Sequence, residues 1–298
     1  MKTRIITGLL LFVFVTPFVL FGTHVMAIFV LLLMGLGTYE FLNIKKKASL
    51  QEIPLYAYII SMVFAFLLIF DIPFISEYAF DYKSGILSSF GFNPLWIIAY
   101  IFTLLTSSVF DKKYNVIDAL YTFATIMYLS LGLKGLLYLR SVGGVEKITD
   151  GILLIVYVLI TTCATDIFAY FGGMTCYKLL GSDKVHKLNE RISPKKTIEG
   201  TIVGTLFGTG LGFLFAILTL KNTSIGNYHW AIYLLMSFVL SICGQIGDLI
   251  LSAVKRHFAV KDYSNLLPGH GGVLDRIDSL LINCMMASLF ISMLSYVL

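Results

Sequence analysis

The 298-residue chain is 58% hydrophobic, has a mean hydropathy of +0.87 and is only 13% charged, where a soluble domain is about one quarter charged. These values exclude a soluble globular fold, and apolar runs that are continuous rather than alternating exclude a closed β-barrel. The formal net charge of +5 does not indicate nucleic-acid binding; the distribution of the charges is the informative part.

In chain order, nine apolar runs are each read as a helix able to cross a hydrocarbon core about 30 Å thick. They cover residues 5–21, 24–42, 54–71, 94–110, 116–133, 152–171, 201–220, 230–254 and 277–298. The expected fold class is therefore all-α, a polytopic integral membrane protein with about nine transmembrane helices. The first run follows Lys2 and Arg4, as the core of a signal peptide does, but no small-residue cleavage site follows it and a second run starts almost at once. The link over residues 72–93 is long and aromatic and is expected to lie along the membrane interface.

Basic residues set the orientation. With the N-terminus inside, all 22 Lys and Arg residues except Lys83, Lys134, Arg140, Lys147 and Lys221 fall on the cytoplasmic side. Nine spans then leave the C-terminus outside. Cys163, Cys176, Cys243 and Cys284 form no CxxC pair and are read as small apolar side chains. Residues 1–140 carry few intramembrane polar groups and are expected to provide packing, a lipid-facing wall or an oligomer contact. Residues 150–298 gather the polar groups, and gather them at the cytoplasmic ends of the spans.

Within that second half, Asp166 lies inside an apolar run, after Thr161, Thr162 and Thr165. An intramembrane carboxylate usually faces a polar cavity or a cation. Next, Ser193-Pro194-Lys195-Lys196-Thr197-Ile198-Glu199-Gly200 reads as a capped helix start, with Pro in the first turn, backbone N–H groups to offer and two lysines beside them, a combination that favours phosphate. Gln245, Asp248, Ser252 and Lys255 are spaced to share one helical face, and Arg256 follows. Lys261-Asp262 leads to Leu267-Pro268-Gly269-His270-Gly271-Gly272, a turn whose glycines let backbone approach an anion. His270 has no second ligand nearby in sequence and is not read as a zinc ligand. Asp275 and Asp278 open the last span three residues apart. With Asp248 they offer hard oxygen donors suited to Mg²⁺. There is no Ser-His-Asp pattern and no cysteine nucleophile, and the inventory matches metal-assisted phosphoryl or nucleotidyl transfer at a membrane surface.

The run from Ser252 to Asp278, with Lys255-Arg256, Lys261-Asp262, the Leu267–Gly272 turn and Asp275-Arg276-x-Asp278, resembles the signature of the phosphatidate cytidylyltransferases, or CDP-diacylglycerol synthases. Asp166-x-x-Ala169-Tyr170 with Gly172-Gly173, and the Ser193–Gly200 segment, resemble that family too; the first five spans carry no matching motif. The resemblance implies that CTP and phosphatidate give CDP-diacylglycerol and pyrophosphate with Mg²⁺, in a membrane homodimer. It implies catalytic roles for Asp248, Lys255, Arg256, Asp275 and Asp278, with Asp248, Asp275 and Asp278 holding one or two divalent ions and an additional monovalent ion as a further expectation. Substrate contacts are expected from Asp166, Ser193, Lys195, Lys196, Thr197, Ser252, Lys261, His270, Gly271, Gly272 and Arg276, with Asp166 on the lipid side. The location expected is a prokaryotic cell membrane, with the site on the cytoplasmic face. Two other readings fit parts of the chain: a CTP-dependent lipid (polyprenol) kinase, and an ion-coupled transporter using Asp166 and Asp248. The one-sided distribution of charge speaks against the transporter.

Overall fold

The structure, a computed structural model, describes residues 2–70, 94–144, 147–181, 185–223, 226 and 228–297. The expected interfacial link at 72–93 lies outside the described residues, as do Lys83 and Lys184. The elements in order are α1 (Lys2–Leu20), α2 (Thr23–Lys47), α3 (Leu55–Phe70), α4 (Pro94–Phe110), α5 (Val116–Ser141), α6 (Ile148–Leu180), β1 (Lys187–Asn189), β2 (Ser193–Thr197), α7 (Ile198–Thr219), α8 (Trp230–His257) and α9 (Leu274–Val297). Among the described residues each apolar run falls largely within one helix, although α5 and α6 extend past the expected ends at 133 and 171 to Ser141 and Leu180. Six of them, α2 and α5 to α9, are long and apolar enough to cross a membrane, and α1, α3 and α4 contain shorter apolar stretches. The protein is thus an all-helical, multi-pass membrane protein.

One departure from the expected helix boundaries concerns Pro194. It sits in β2, which pairs antiparallel with β1 through Lys187 with Thr197 and Asn189 with Ser193. The helix begins four residues later, at Ile198. Proline suits an edge strand as well as a first helical turn, and a polar hairpin outside the apolar run is where a short strand pair can form.

The chain forms two compact units. One comprises Met1–Tyr138, Phe258–Arg276 and Ser288–Leu298, the other Leu139–His257 and Ile277–Ala287. Much of the signature, residues 258–276, clusters with the N-terminal helices.

In the first unit, α2 is the buried element. Met26, Val30, Leu33, Met34, Phe41 and Leu42 are enclosed, and Lys45, Lys46 and Lys47 close its C-terminal turn, where cations complement the helix dipole. A buried ion pair joins Lys45 to Asp118 at the start of α5. Ser61 and Tyr100 share a hydrogen bond of 2.9 Å between α3 and α4. After α4, Asp111 accepts the Lys113 N–H and the Tyr56 O–H, which hold its carboxyl below the usual range.

In the second unit, Gly200, Gly204, Gly208 and Gly212 recur every four residues along α7 and are buried. They face α6 so closely that a Cβ at Gly208 would lie 2.0 Å from Thr165 Oγ1, and one at Gly212 2.4 Å from Thr161 Oγ1. Small residues at this spacing let membrane helices pack backbone to backbone. Polar side chains then tie the helices together: Tyr157 with Ser237 at 2.7 Å, Thr165 with Ser241 at 2.8 Å, Gln245 to Thr205 at 2.9 Å and Asn283 to Thr162 at 2.7 Å. Each such bond contributes about 0.6 kcal/mol in a membrane protein.

Candidate active site

The second unit gathers three carboxylates. Asp166 is on α6, Asp248 on α8 and Asp278 on α9. Glycines explain why the helices come close: a Cβ at Gly247 would lie 2.5 Å from Ile282 Cγ2 and 3.1 Å from the Asp278 carbonyl, and one at Gly244 would lie 2.6 Å from Asn283 Nδ2. The Asp278 carboxylate feels the charges of Asp248 and Asp166, and Asp166 feels that of Asp248. Ser279 Oγ lies 3.4 Å from both Asp166 Oδ2 and Asp278 Oδ1, and the Ser279 N–H donates to Asp278 Oδ1 at 2.8 Å.

Two ammonium groups answer the three carboxylates. Lys196 Nζ, at the end of β2, lies 2.5 Å from Asp248 Oδ2, and the buried Lys255 acts on both Asp248 and Asp278. Ser252 Oγ donates to Asp248 Oδ1 at 3.1 Å, so the one-face spacing on α8 has a physical outcome. Gln245 is different: it bonds α7 through Thr205 and serves packing.

The start of α7 is shaped by the same segment. Thr197 is its N-cap and accepts the Gly200 N–H at 3.1 Å. Glu199 Oε1 accepts the His186 backbone N–H at 3.0 Å and pairs with His186 Nδ1 at 2.8 Å. Gly173 and Gly200 allow the approach of α6, since a Cβ at Gly200 would lie 2.6 Å from the Ala169 carbonyl oxygen. Ser193 is half-buried in β2 and Lys195 is exposed. Arg256 Nε donates to the Ile192 carbonyl at 3.2 Å, bonding the hairpin turn.

The first unit holds the Gly-rich turn. Lys261, Asp262, Asn265, His270 and Arg276 are among the residues lining a cavity of about 590 Å³ beside it. The turn closes through the Leu267 N–H to Gly271 O and the His270 N–H to Leu267 O. Two of its glycines face protein carboxylates. Gly271 has φ +81°, and a Cβ there would lie 3.0 Å from Asp275 Oδ2; a Cβ at Gly272 would lie 2.6 Å from Glu40 Oε1. The buried Asp275 accepts the N–H groups of Tyr263 and Gly272, both at 2.9 Å. Glu40 accepts those of Val273 and Leu274, at 2.9 and 2.8 Å, and the Ser264 hydroxyl at 2.5 Å. Three consecutive amides at the start of α9 thus bind protein carboxylates, where the glycine pattern alone suggested an anion-binding turn.

Glu40 went unnoticed in the sequence because no motif surrounds it. The signal was present nonetheless. It is a carboxylate within the apolar run 24–42, and the rule that marks Asp166 marks it equally. Lys47, in sequence only a topology signal, donates from its Nζ to the Asp262 carbonyl at 2.6 Å.

Among the described residues, no group of three or more His, Cys, Asp or Glu side chains is close enough to form a metal cage by itself. The donors at Asp166, Asp248 and Asp278 still suit a hard divalent ion. They are carboxylate oxygens, they outnumber their ammonium partners, and Asp166 is exposed. Mg²⁺ typically takes one or two protein carboxylates and completes its shell with water and substrate phosphate.

Comparison with known proteins agrees with the signature. The family model described as "Cytidylyltransferase family" matches residues 2–294. The phosphatidate cytidylyltransferase of Staphylococcus haemolyticus is 33% identical over 281 residues, covering 94% of each chain. Those of Staphylococcus epidermidis and Staphylococcus aureus are 32% and 30% identical over 283 and 282 residues, again covering 94% of each chain. The chain therefore belongs to the cytidylyltransferase family, and it is a membrane-embedded nucleotidyltransferase.

Proposed function

We propose that the chain carries out the reaction its relatives are named for, as a phosphatidate cytidylyltransferase of phospholipid synthesis. CTP and phosphatidate give CDP-diacylglycerol and pyrophosphate. The observation that carries the reading is the grouping of Asp166, Asp248 and Asp278 against Lys196 and Lys255. It is a site with carboxylates in excess, adjoining the lysine-rich start of a helix.

The phosphate of phosphatidate attacks the α-phosphorus of CTP; a P–O bond forms there, and the bond to the bridging oxygen of pyrophosphate breaks. A phosphomonoester with its second pKa near ~6 is largely dianionic at neutral pH, so the attack needs no general base. The remaining difficulty is repulsion between two polyanions. Asp166, Asp248 and Asp278 would hold one or two Mg²⁺ ions, and bound Mg²⁺ would supply charge neutralisation across the phosphates. This set replaces Asp275, whose Oδ2 is engaged by two backbone amides, with Asp166. Lys196 and Lys255 balance the carboxylates and offer charge to the transferring group. Ser252 orients Asp248. In the first unit, Lys261, His270 and Arg276 line a cavity whose cations suit the triphosphate of a nucleotide; in the second, exposed Lys195 suits the lipid headgroup. Arg256 keeps the Lys195-Lys196 hairpin in place.

The distribution of Lys and Arg supports nine spans in a cell membrane, with the N-terminus and the site cytoplasmic and the C-terminus outside. That face gives access to water-soluble CTP and to phosphatidate in the leaflet. A homodimer and an additional monovalent ion belong to the same reading.

Purified protein in micelles containing phosphatidate, given CTP labelled at the α-phosphate, tests the reading. Mg²⁺-dependent entry of label into lipid with release of pyrophosphate is expected. Label that reaches a polyprenol only from the γ-phosphate would replace this reading with a lipid kinase.

A further inference from the structure

Glu40 is 2% exposed, near the C-terminal end of the apolar run of α2. A buried carboxylate in a span is costly unless fully engaged. Its two oxygens take three donors from the segment 264–274, two of them backbone amides at the start of α9. A local Ser or Asp would cap that helix from the adjoining residues. Glu40 instead reaches in from a helix more than two hundred residues away in sequence, and it occupies the space a side chain at Gly272 would need. Around it, Phe41 packs edge-on against Tyr263, with ring centroids 5.3 Å apart. Lys47 bonds the Asp262 carbonyl, and the Tyr121 hydroxyl donates to the Phe41 carbonyl at 2.8 Å. The C-terminal half of α2 is a template against which the segment 261–274 is laid.

We propose that Glu40 is a positioning residue for nucleotide binding. It fixes the Gly-rich turn, and so sets how His270 and Arg276 line the cavity with Lys261. Because Glu40 and Asp275 engage the amides of Gly272, Val273 and Leu274, the polyphosphate is met by side-chain cations and not by a backbone nest. The N-terminal helices, which carry no motif of their own, therefore act in nucleotide binding through one carboxylate. The link to CTP rests on the proposed function; the fixing of the turn does not.

Four full-length variants in phosphatidate micelles test this: Glu40→Gln, Glu40→Asp, Gly272→Ala and the double variant Glu40→Asp/Gly272→Ala. Glu40→Gln keeps the shape but places an NH₂ against a backbone N–H. It should raise KM for CTP about 10-fold or more, the scale of one charge-assisted hydrogen bond, with KM for phosphatidate unchanged. Gly272→Ala should do the same, and the shorter Asp should make room for the new methyl, so that the double variant recovers part of the loss. Hydrogen exchange of the peptide 264–274 should speed up in Glu40→Gln while peptides from α6 to α8 keep wild-type rates. A fall in Vmax with both KM values unchanged, or uniform loss of exchange protection, would mean that Glu40 serves only stability and would overturn the proposal. If the wild type itself transfers no α-label to lipid, the proposed function fails, and the exchange experiment still decides whether Glu40 fixes the turn.

Discussion

The molecule uses carboxylates in two opposite ways. Glu40 and Asp275 point their oxygens at backbone N–H groups, four amides and a hydroxyl between them. Asp166, Asp248 and Asp278 act on one another, with two lysines to answer three negative charges. A carboxylate that faces peptide donors is held by the fold and holds the fold in return. A group of like charges in a low-dielectric setting is tolerable only where a cation or substrate can join it. Residue type and spacing do not separate the two uses: Asp275 and Asp278 lie one turn apart on α9, and their observed partners differ.

The widest consequence of that contrast falls on the charged group. Asp248→Asn or Asp278→Asn should lower turnover about 10³-fold, several kcal/mol of charge stabilisation, with the protein still folded by its thermal transition in micelles. Asp275→Asn retains an oxygen acceptor for the turn. It should cost about 10-fold, on the scale of one charge-assisted hydrogen bond, and should appear as a raised KM for CTP. Equal losses from the substitutions at 275 and 278 would erase the distinction between them. Lys196→Met removes the ammonium from Asp248. It should lower turnover several-fold, about 1 kcal/mol, and reduce the Mg²⁺ concentration needed for half-activation, because lysine and the ion compete for the same oxygen. A higher Mg²⁺ requirement in that variant would place Lys196 outside the group. Ser279→Ala removes only contacts of 3.4 Å and should change turnover by no more than about 3-fold.

Much of this was legible in the sequence. The apolar runs located the helices because lipid demands continuous apolar length, and the Ser252–Asp278 signature marked the chemistry. The one-face spacing of Asp248 and Ser252 became a direct hydrogen bond. Three features were not legible. Pro194 fits an edge strand or a helix start equally well, and the pairing of β2 with β1 decided between them. The glycines at 271 and 272 announce a close approach but not by what; here the approaching groups are Asp275 and Glu40. Glu40 itself could be assigned only through partners more than two hundred positions away, a relation that no local pattern carries.

Asp166, Asp248 and Asp278 are proposed to share one ion-dependent role and Asp275 to have a separate one. The direct measurement is the Mg²⁺ dependence of α-label transfer from CTP to phosphatidate, at saturating substrates, for Asn variants at all four positions. Half-activation should move to higher Mg²⁺ for the variants at 166, 248 and 278 and stay at the wild-type concentration for the variant at 275. A shift at 275 as large as that at 278, with none at 166, would assign the ion to Asp275 in place of Asp166.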